Sequence, residues 1–359
     1  MSGETVPGIN GGSGECGSGV SRDSSNDSAA SRIAAHAAPT SSTSSIFAHL
    51  RARARLYAHV RAFFAARAVL EVETPILSAA GNTDPNIESF FTEFSGHMDA
   101  GVRRRWLRTS PEFPLKRLLA AGIGDCYELG RVFRNGETGA RHNPEFTLLE
   151  WYRVGWDHRQ LMGEVAQLIE SALVLFERSV QIAEISYRDW FYDALHLDPH
   201  SATLELLQAV LADVRIDGEG LGRDDWLDLI ITHRLQPANP DNRLLLVFDF
   251  PASQCALARV RDGVPPVAER FEAYLGAREL ANGYHELNDA GEQRQRFERD
   301  QAARSARGSS VPPIDARLLD ALPALPDCAG VAIGMDRLLM CLLAADDIRD
   351  LLAFDFARA

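Results

Sequence analysis

The chain has 359 residues, of which 46% are hydrophobic and 24% charged, with a formal net charge of −13. That length and apolar content suffice for one large domain or two modest ones around a buried core. The acidic balance argues against a broad nucleic-acid footprint, which needs concentrated Lys and Arg, and no run of about 18 apolar residues exists to span a membrane.

Residues 1 to about 45 are rich in Ser, Gly and Ala with few large apolar side chains, too few to offset the entropy of ordering, so a disordered tail is predicted. Gly12, Gly14 and Gly17 fall in GxGxxG spacing, but that pattern needs a strand before it and a helix after it, and neither is predicted. The same stretch lacks the apolar core of a signal peptide. Cys16, Cys126, Cys255, Cys328 and Cys341 show no CxxC spacing, so reduced thiols, a cytoplasmic location and neither zinc nor disulfides are expected.

Order is predicted from Ile46, where Leu50, Tyr57, Val60 and Phe64 recur at helical spacing and Arg51, Arg53, Arg55 and Arg61 fill other faces. A strand-like segment, Ala68 to Leu77, follows and is interrupted by Pro75. Ser110 and Pro111 are good helix openers, which makes Glu112 read as a helix N-terminal charge.

Arg131 to Arg153, RVFRNGETGARHNPEFTLLEWYR, reads as two strands joined by a polar loop carrying Arg134, Glu137, His142 and Asn143. Such a loop can hold a nucleotide, because a guanidinium is a planar fork matched to a pair of phosphate oxygens. Glu150 and Tyr152 stand two apart on the second strand and therefore share a face. A helix is predicted over His158 to Arg178, then a helical insert from Tyr187 to about Asn242.

Strands return at Leu244 to Pro251 and on either side of Gly276 and Ala277, a two-residue hairpin turn led by glycine. The expected class is therefore α+β, an antiparallel sheet flanked by helices. Glu279 and Glu286 are a candidate Mg²⁺ pair, since that ion takes one or two carboxylates plus phosphate oxygens. Seven residues apart on a regular strand they would face opposite ways, so a bulge at Asn282 and Gly283 is expected. Finally GVAIGMDRLLM, Gly330 to Met340, runs from an apolar strand into a helix with Arg337 at the junction. Two separated arginines, Arg134 and Arg337, are the candidate clamp on one triphosphate.

ETP ending at Pro75, FRNGE with HNPEFTLLEWY, ELANGYHELND and GVAIGMDR resemble motifs 1, 2 and 3 of class II aminoacyl-tRNA synthetases of the lysyl type. SPEFPLKRLLAAG and FPASQCALA extend the likeness to the lysyl-tRNA synthetase-like ligases that attach (R)-β-lysine to a lysine of elongation factor P. The resemblance covers about Ile46 to the C-terminus and implies one catalytic domain, residues 46–359, without the anticodon-binding domain that precedes motif 1 in lysyl-tRNA synthetases. It further implies ATP, Mg²⁺, a homodimer, and a protein acceptor, elongation factor P, in place of tRNA.

By that resemblance Arg134 meets the α-phosphate, Arg337 the γ-phosphate, and Phe146 stacks on adenine beside Asn143 and His142. Glu279 and Leu280 would lie at the nucleotide, and Gly334 would let it approach the backbone, the alternative for that glycine being a simple bend. Ser110, Pro111, Glu112, Glu150, Tyr152 and Glu286 would enclose a lysine-like substrate, whose ammonium needs anions once buried. Two departures stand out: Asn135, Gly136 and Glu137, expected at the nucleotide, replace the usual Asn-Glu after the motif 2 arginine, and Ala332, expected on the floor of the amino-acid pocket, stands where lysyl-tRNA synthetases carry glycine.

The implied reaction activates a carboxylate as an acyl adenylate and passes it to an amine brought by the partner. Proximity then supplies much of the rate, and no cysteine nucleophile is needed. Two rivals remain open, a freestanding enzyme charging lysine onto RNA and a non-catalytic amino-acid-binding paralogue. Acidic charge weighs against the first, and the complete Arg134, Arg337, Glu279 and Glu286 set against the second.

Overall fold

The computed structural model describes residues 41–97, 99 and 101–359; the GxGxxG glycines and Cys16 lie outside them. Residues 41–359 form one compact unit. In chain order its elements are α1 (Ser41–Ala65), β1 (Leu70–Glu71), β2 (Leu77–Ser78), β3 (Phe91–Glu93), β4 (Arg104–Leu107), α2 (Glu112–Ala120), β5 (Cys126–Phe133) and β6 (Glu145–Val154). Next come α3 (His158–Leu175), β7 (Gln181–Ser186), α4 (Tyr187–Leu195), α5 (Leu204–Val210), α6 (Arg223–Ile230) and α7 (Gln236–Ala238). The chain finishes with β8 (Arg243–Pro251), β9 (Val260–Arg261), β10 (Val267–Leu275), β11 (Arg278–His285), α8 (Ala290–Ala306), α9 (Ala316–Ala321), β12 (Cys328–Gly334) and α10 (Met335–Leu343).

The order β1-β5-β6-β12-β11-β10-β8-β7, with β9 beside β10, makes a sheet that is antiparallel except at β1–β5 and β7–β8. The expected α+β class is therefore correct. Pro75 splits its segment between two sheets, because β1 joins the large one and β2 pairs with β4 in the small one. Helix α1 starts at Ser41, ahead of the expected Ile46, and α3 stops at Leu175, short of Arg178.

Alternation along the strands sorts the sheet into two chemically different faces. One presents Leu149, Trp151, Ala281, Val331 and Ile333 to the largest core cluster, where α1 supplies Leu56, Val60 and Phe64 and α3 supplies Leu161, Val165, Leu168 and Ala172. Burial of such side chains is worth about 2 kcal/mol each, which is what holds the sheet rigid. Helix α3 opens on a reciprocal cap between Asp157 and Gln160, worth about 1 kcal/mol.

The other face carries Glu150 and Tyr152 of β6, Gly330 and Ala332 of β12, and Asn282 and Tyr284 of β11, aligned by the ladder pairs Ala332–Glu150, Gly330–Tyr152, Asn282–Ala332 and Tyr284–Gly330. Helices α2, α8 and α9 close one end of it and the Tyr187–Asn242 insert packs at the other. The middle stays open. Several residues of the basic clusters near Arg51–Arg61 and Arg103–Arg108 are tied internally, Arg53 to Asp336, Arg61 to Glu71, Arg104 to Glu93 and Arg108 to Glu128.

Candidate active site

The open stretch of the polar face is a cavity of about 330 Å³. Arg134, Glu137, His142, Asn143, Phe146, Glu279, Leu280, Ala332, Gly334 and Arg337 all line it, together with Arg270, Asn282 and Tyr284. Residues separated by two hundred positions in the chain thus share one chamber, as the paired-arginine reading requires.

Each arginine is positioned by a different device. Arg134 leaves the end of β5, its N–H bonded to the Pro144 carbonyl, with its guanidinium carbon 5.2 Å from the Phe146 ring centre and Nη1 3.6 Å from Glu137. Its buried Nε has no partner in the fold, so it is a donor left for an anion to accept. Arg337 sits in the first turn of α10, where its guanidinium donates to the Glu279 carbonyl at 3.2 Å and to His142 Nε2 at 2.8 Å. Burial and the Arg337 charge lower the His142 pKa, which keeps the imidazole neutral and able to accept. Neighbouring Asp336 pins the helix start, accepting from the Thr147 N–H at 2.8 Å and pairing with Arg53 at 2.6 Å.

Glu279 reaches the cavity through a bulge, but not the expected one. The β10–β11 register pairs Ala273 with Ala281 and then Tyr274 with Glu279, so Leu280 is the extra residue, rather than Asn282 or Gly283. One inserted residue reverses the alternation and puts Glu279 on the face of Asn282 and Tyr284. Gly283 serves packing instead: a Cβ there would stand 2.4 Å from the Phe271 ring.

A closely packed polar cluster lies over Gly330, continuous with the face that the cavity opens on. The Ser110 hydroxyl donates to Glu150 at 2.6 Å and accepts from the Glu112 N–H at 2.9 Å, while the Tyr152 hydroxyl donates to the other Glu150 oxygen at 2.8 Å. Pro111 is buried where α2 opens. Burial, then the charge of Glu112, pushes the Glu150 carboxyl up to about 8. Glu286 is 1% exposed and burial raises it to about 7. Lys116, also 1% exposed, sets its ammonium 2.6 Å from both Glu112 and Glu286, and those two carboxylates hold it charged against the cost of burial. A Cβ on Gly330 would lie 2.3 Å from the Tyr152 ring and 2.4 Å from Glu286 Oε1, so only glycine leaves room for this cluster.

The placements of Glu286, Asn135 and Gly136 depart from expectation, while Asn143 and Phe146 line the cavity with partners of their own. Glu286 belongs to the packed cluster over Gly330, bound by Lys116, and is not a wall of the cavity that holds Glu279; the two carboxylates share a sheet face without sharing a neighbour. Asn135 and Gly136 form an exposed turn with Gly136 at φ 84°, away from the cavity wall. The Asn143 amide is engaged by the chain itself, donating to the Glu145 carbonyl at 2.7 Å and accepting from the Phe356 N–H at 2.9 Å. Arg134 lies against Phe146, the ring expected to stack on a base. A Cβ added at Gly334 would meet nothing closer than the Arg337 side chain at 3.9 Å, so its missing side chain leaves cavity space rather than relieving a clash.

Lys116 and Arg270 were not anticipated. Lys116 had a legible signal, lying four residues after Glu112 on a helix. Arg270 had a weaker one in the alternation Arg270, Glu272, Tyr274; it bonds Glu272 at 2.5 Å and the Gln254 carbonyl at 2.8 Å, and its Nε is buried without a partner beside the cavity. Cys126, Cys255, Cys328 and Cys341 are free, and burial raises each thiol.

Two guanidiniums and a carboxylate around one cavity, on an antiparallel sheet flanked by helices, define an ATP-using amino-acid ligase of the class II synthetase type. The chain belongs to that family: the model for tRNA synthetases class II (D, K and N) matches residues 31–358. Proteins named "Elongation factor P--(R)-beta-lysine ligase" from Salmonella gallinarum, Salmonella paratyphi B and Salmonella schwarzengrund are each 46% identical to it over 316 residues, 87% of this chain and 96% of theirs. Among the described residues no helix is long and apolar enough to cross a membrane.

Proposed function

We propose that this chain activates (R)-β-lysine with ATP and transfers it to a lysine side chain of elongation factor P. The observation that carries this reading is the polar cluster of Glu112, Glu150 and Glu286 around Lys116, beside a guanidinium-walled cavity on one sheet face. Three acids, two of them buried, against the single Lys116 ammonium leave negative charge in excess, which suits an amino acid bearing an extra ammonium group, and the 46% identity to ligases of that name supports the particular substrate and acceptor.

In the first step the substrate carboxylate oxygen attacks the α-phosphorus of ATP and pyrophosphate departs. Arg134 stabilises the charge that develops there, a fixed donor worth about 3 kcal/mol, while Arg337 holds the γ-phosphate end. Glu279 is the carboxylate available for Mg²⁺, which offsets phosphate charge when bound; an ion that keeps several waters needs only one or two such ligands, and Glu286 stays with Lys116. In the second step the acceptor amine attacks the acyl carbon, AMP leaves and a proton is released. Glu150 and Tyr152 bind the ammonium end, with Ala332 on the floor between them and the nucleotide. The active species is a homodimer in the cytoplasm, and tRNA is not the acceptor.

Amino-acid-dependent exchange between ATP and pyrophosphate tests the first step, followed by intact-mass measurement of elongation factor P and of tRNA after incubation with enzyme, ATP and substrate. Greater exchange with (R)-β-lysine than with α-lysine, and an added mass on the protein, are expected. Equal or greater exchange with α-lysine together with acylated RNA would replace this reading by an RNA-charging enzyme.

A further inference from the structure

On the sheet face opposite the active site, His158, Glu269 and His285 bring one ligand atom each within 4.8 Å of the others. His158 is the first residue of α3, Glu269 lies on β10, and His285 ends β11, alternate to the cavity-lining Tyr284. We propose that these three side chains bind a divalent transition ion, Zn²⁺ foremost, at a site separate from the nucleotide cavity.

The donor chemistry is that of a two-imidazole, one-carboxylate site, which suits Zn²⁺, Co²⁺ and Ni²⁺ and not the oxygen-seeking Mg²⁺. His158 is 2% exposed, and its Nδ1 is buried with no hydrogen-bond partner. An imidazole nitrogen orphaned in that way is uncommon unless something accepts or ligates it. Its other nitrogen, Nε2, lies 3.3 Å from Asp249 Oδ1. His285 repeats the arrangement: Nδ1 faces Glu269 Oε2 at 2.5 Å and Nε2 faces Asp327 Oδ1 at 3.0 Å. Each ring thus also contacts a carboxylate outside the trio, the kind of outer contact that orients imidazole ligands.

The backbone is shaped around this point. The β8–β10 register slips between Ala268 and Phe271, opposite Asp249, which adopts φ 60°. Positive charge is close too: Arg261 pairs with Asp249 at 2.6 Å and with Glu269 at 3.1 Å, and Arg259 pairs with Asp327 at 2.7 Å. Three carboxylates against two guanidiniums leave the cluster able to take a cation. Ligand atoms around a tetrahedral Zn²⁺ with bonds of about 2.05 Å are roughly 3.4 Å apart, so small side-chain rotations close the cluster, with the ion replacing the His285–Glu269 hydrogen bond. Bound there it would tie α3 to β10 and β11.

The full chain, stripped with chelator and titrated with Zn²⁺, is expected to take up one tightly held equivalent and to melt at a higher temperature, because an ion that binds only the folded state stabilises it. Co²⁺ is expected to give visible d–d absorption of imidazole and carboxylate ligation. His158→Gln, which keeps a donor toward Asp249, and Glu269→Gln should each weaken Zn²⁺ at least tenfold and abolish the melting shift, whereas Glu279→Gln in the nucleotide cavity should retain both. Lack of a stoichiometric ion, less than tenfold weakening in both variants, or loss of the ion in Glu279→Gln instead, would overturn the assignment. Glu269→Gln keeps the test open should His158→Gln fold poorly.

Discussion

Replacing Lys116 by Met tests the buried ion cluster over Gly330 most sharply. The ammonium is 1% exposed and is the shared partner of Glu112 and Glu286, so the variant leaves two acids, one of them 1% exposed, without their cation. Removing one member of a buried ion pair costs about 3–5 kcal/mol. For a unit spanning residues 41–359, about 1.5 °C is lost per kcal/mol, giving a fall in melting temperature of roughly 5–7 °C near pH 8. The pH dependence has a definite sign. Glu286 already has a folded pKa raised to about 7, and loss of Lys116 raises it further. A raised group contributes stability below its unfolded pKa and loses it as pH rises through the folded value; the deficit should therefore shrink as pH falls from 8 to 5. Adding Glu286→Gln to Lys116→Met should restore more than 2 kcal/mol. Thermal and denaturant melts from pH 5 to 9 read all three outcomes. A loss under 1 kcal/mol at pH 8, or one that ignores acid, would refute the buried pairing.

Glu150 should act through its raised pKa of about 8. Because a cationic substrate needs the carboxylate, the KM for amino acid in the exchange assay should fall between pH 7 and 9 and flatten in Glu150→Gln. By the same linkage Glu150→Gln should be more stable than the parent at pH 9 while binding substrate less well. Arg337→Ala should reduce ATP–pyrophosphate exchange by about a hundredfold or more while leaving the melting curve nearly unchanged, since the arginine's partners are the Glu279 carbonyl and His142. Gly330→Ala should destabilise by about 1–3 kcal/mol and abolish amino-acid binding, because the new methyl meets Tyr152 and Glu286; full activity with normal stability would contradict the packing described.

The sequence by itself determined the elements that local chemistry dictates. Periodicity marked α1 and α3, the Gly276–Ala277 pair marked the β10–β11 hairpin, and the spacing of Glu150 and Tyr152 put both on one face. The order of the arginine-bearing motifs along the chain also disclosed the family, which the match over residues 31–358 bears out. Tertiary structure alone decided where the bulge falls, because whether Leu280 or Asn282 slips depends on the β10 partner strand and on Phe271 filling the space over Gly283. It alone separated Glu279 from Glu286 by giving the second to Lys116, and turned the Asn143 amide toward the chain's own C-terminal segment. It also set His158 beside Glu269 and His285, more than a hundred residues away. Which buried charge meets which partner is settled by packing between distant elements, and no local pattern carries that information.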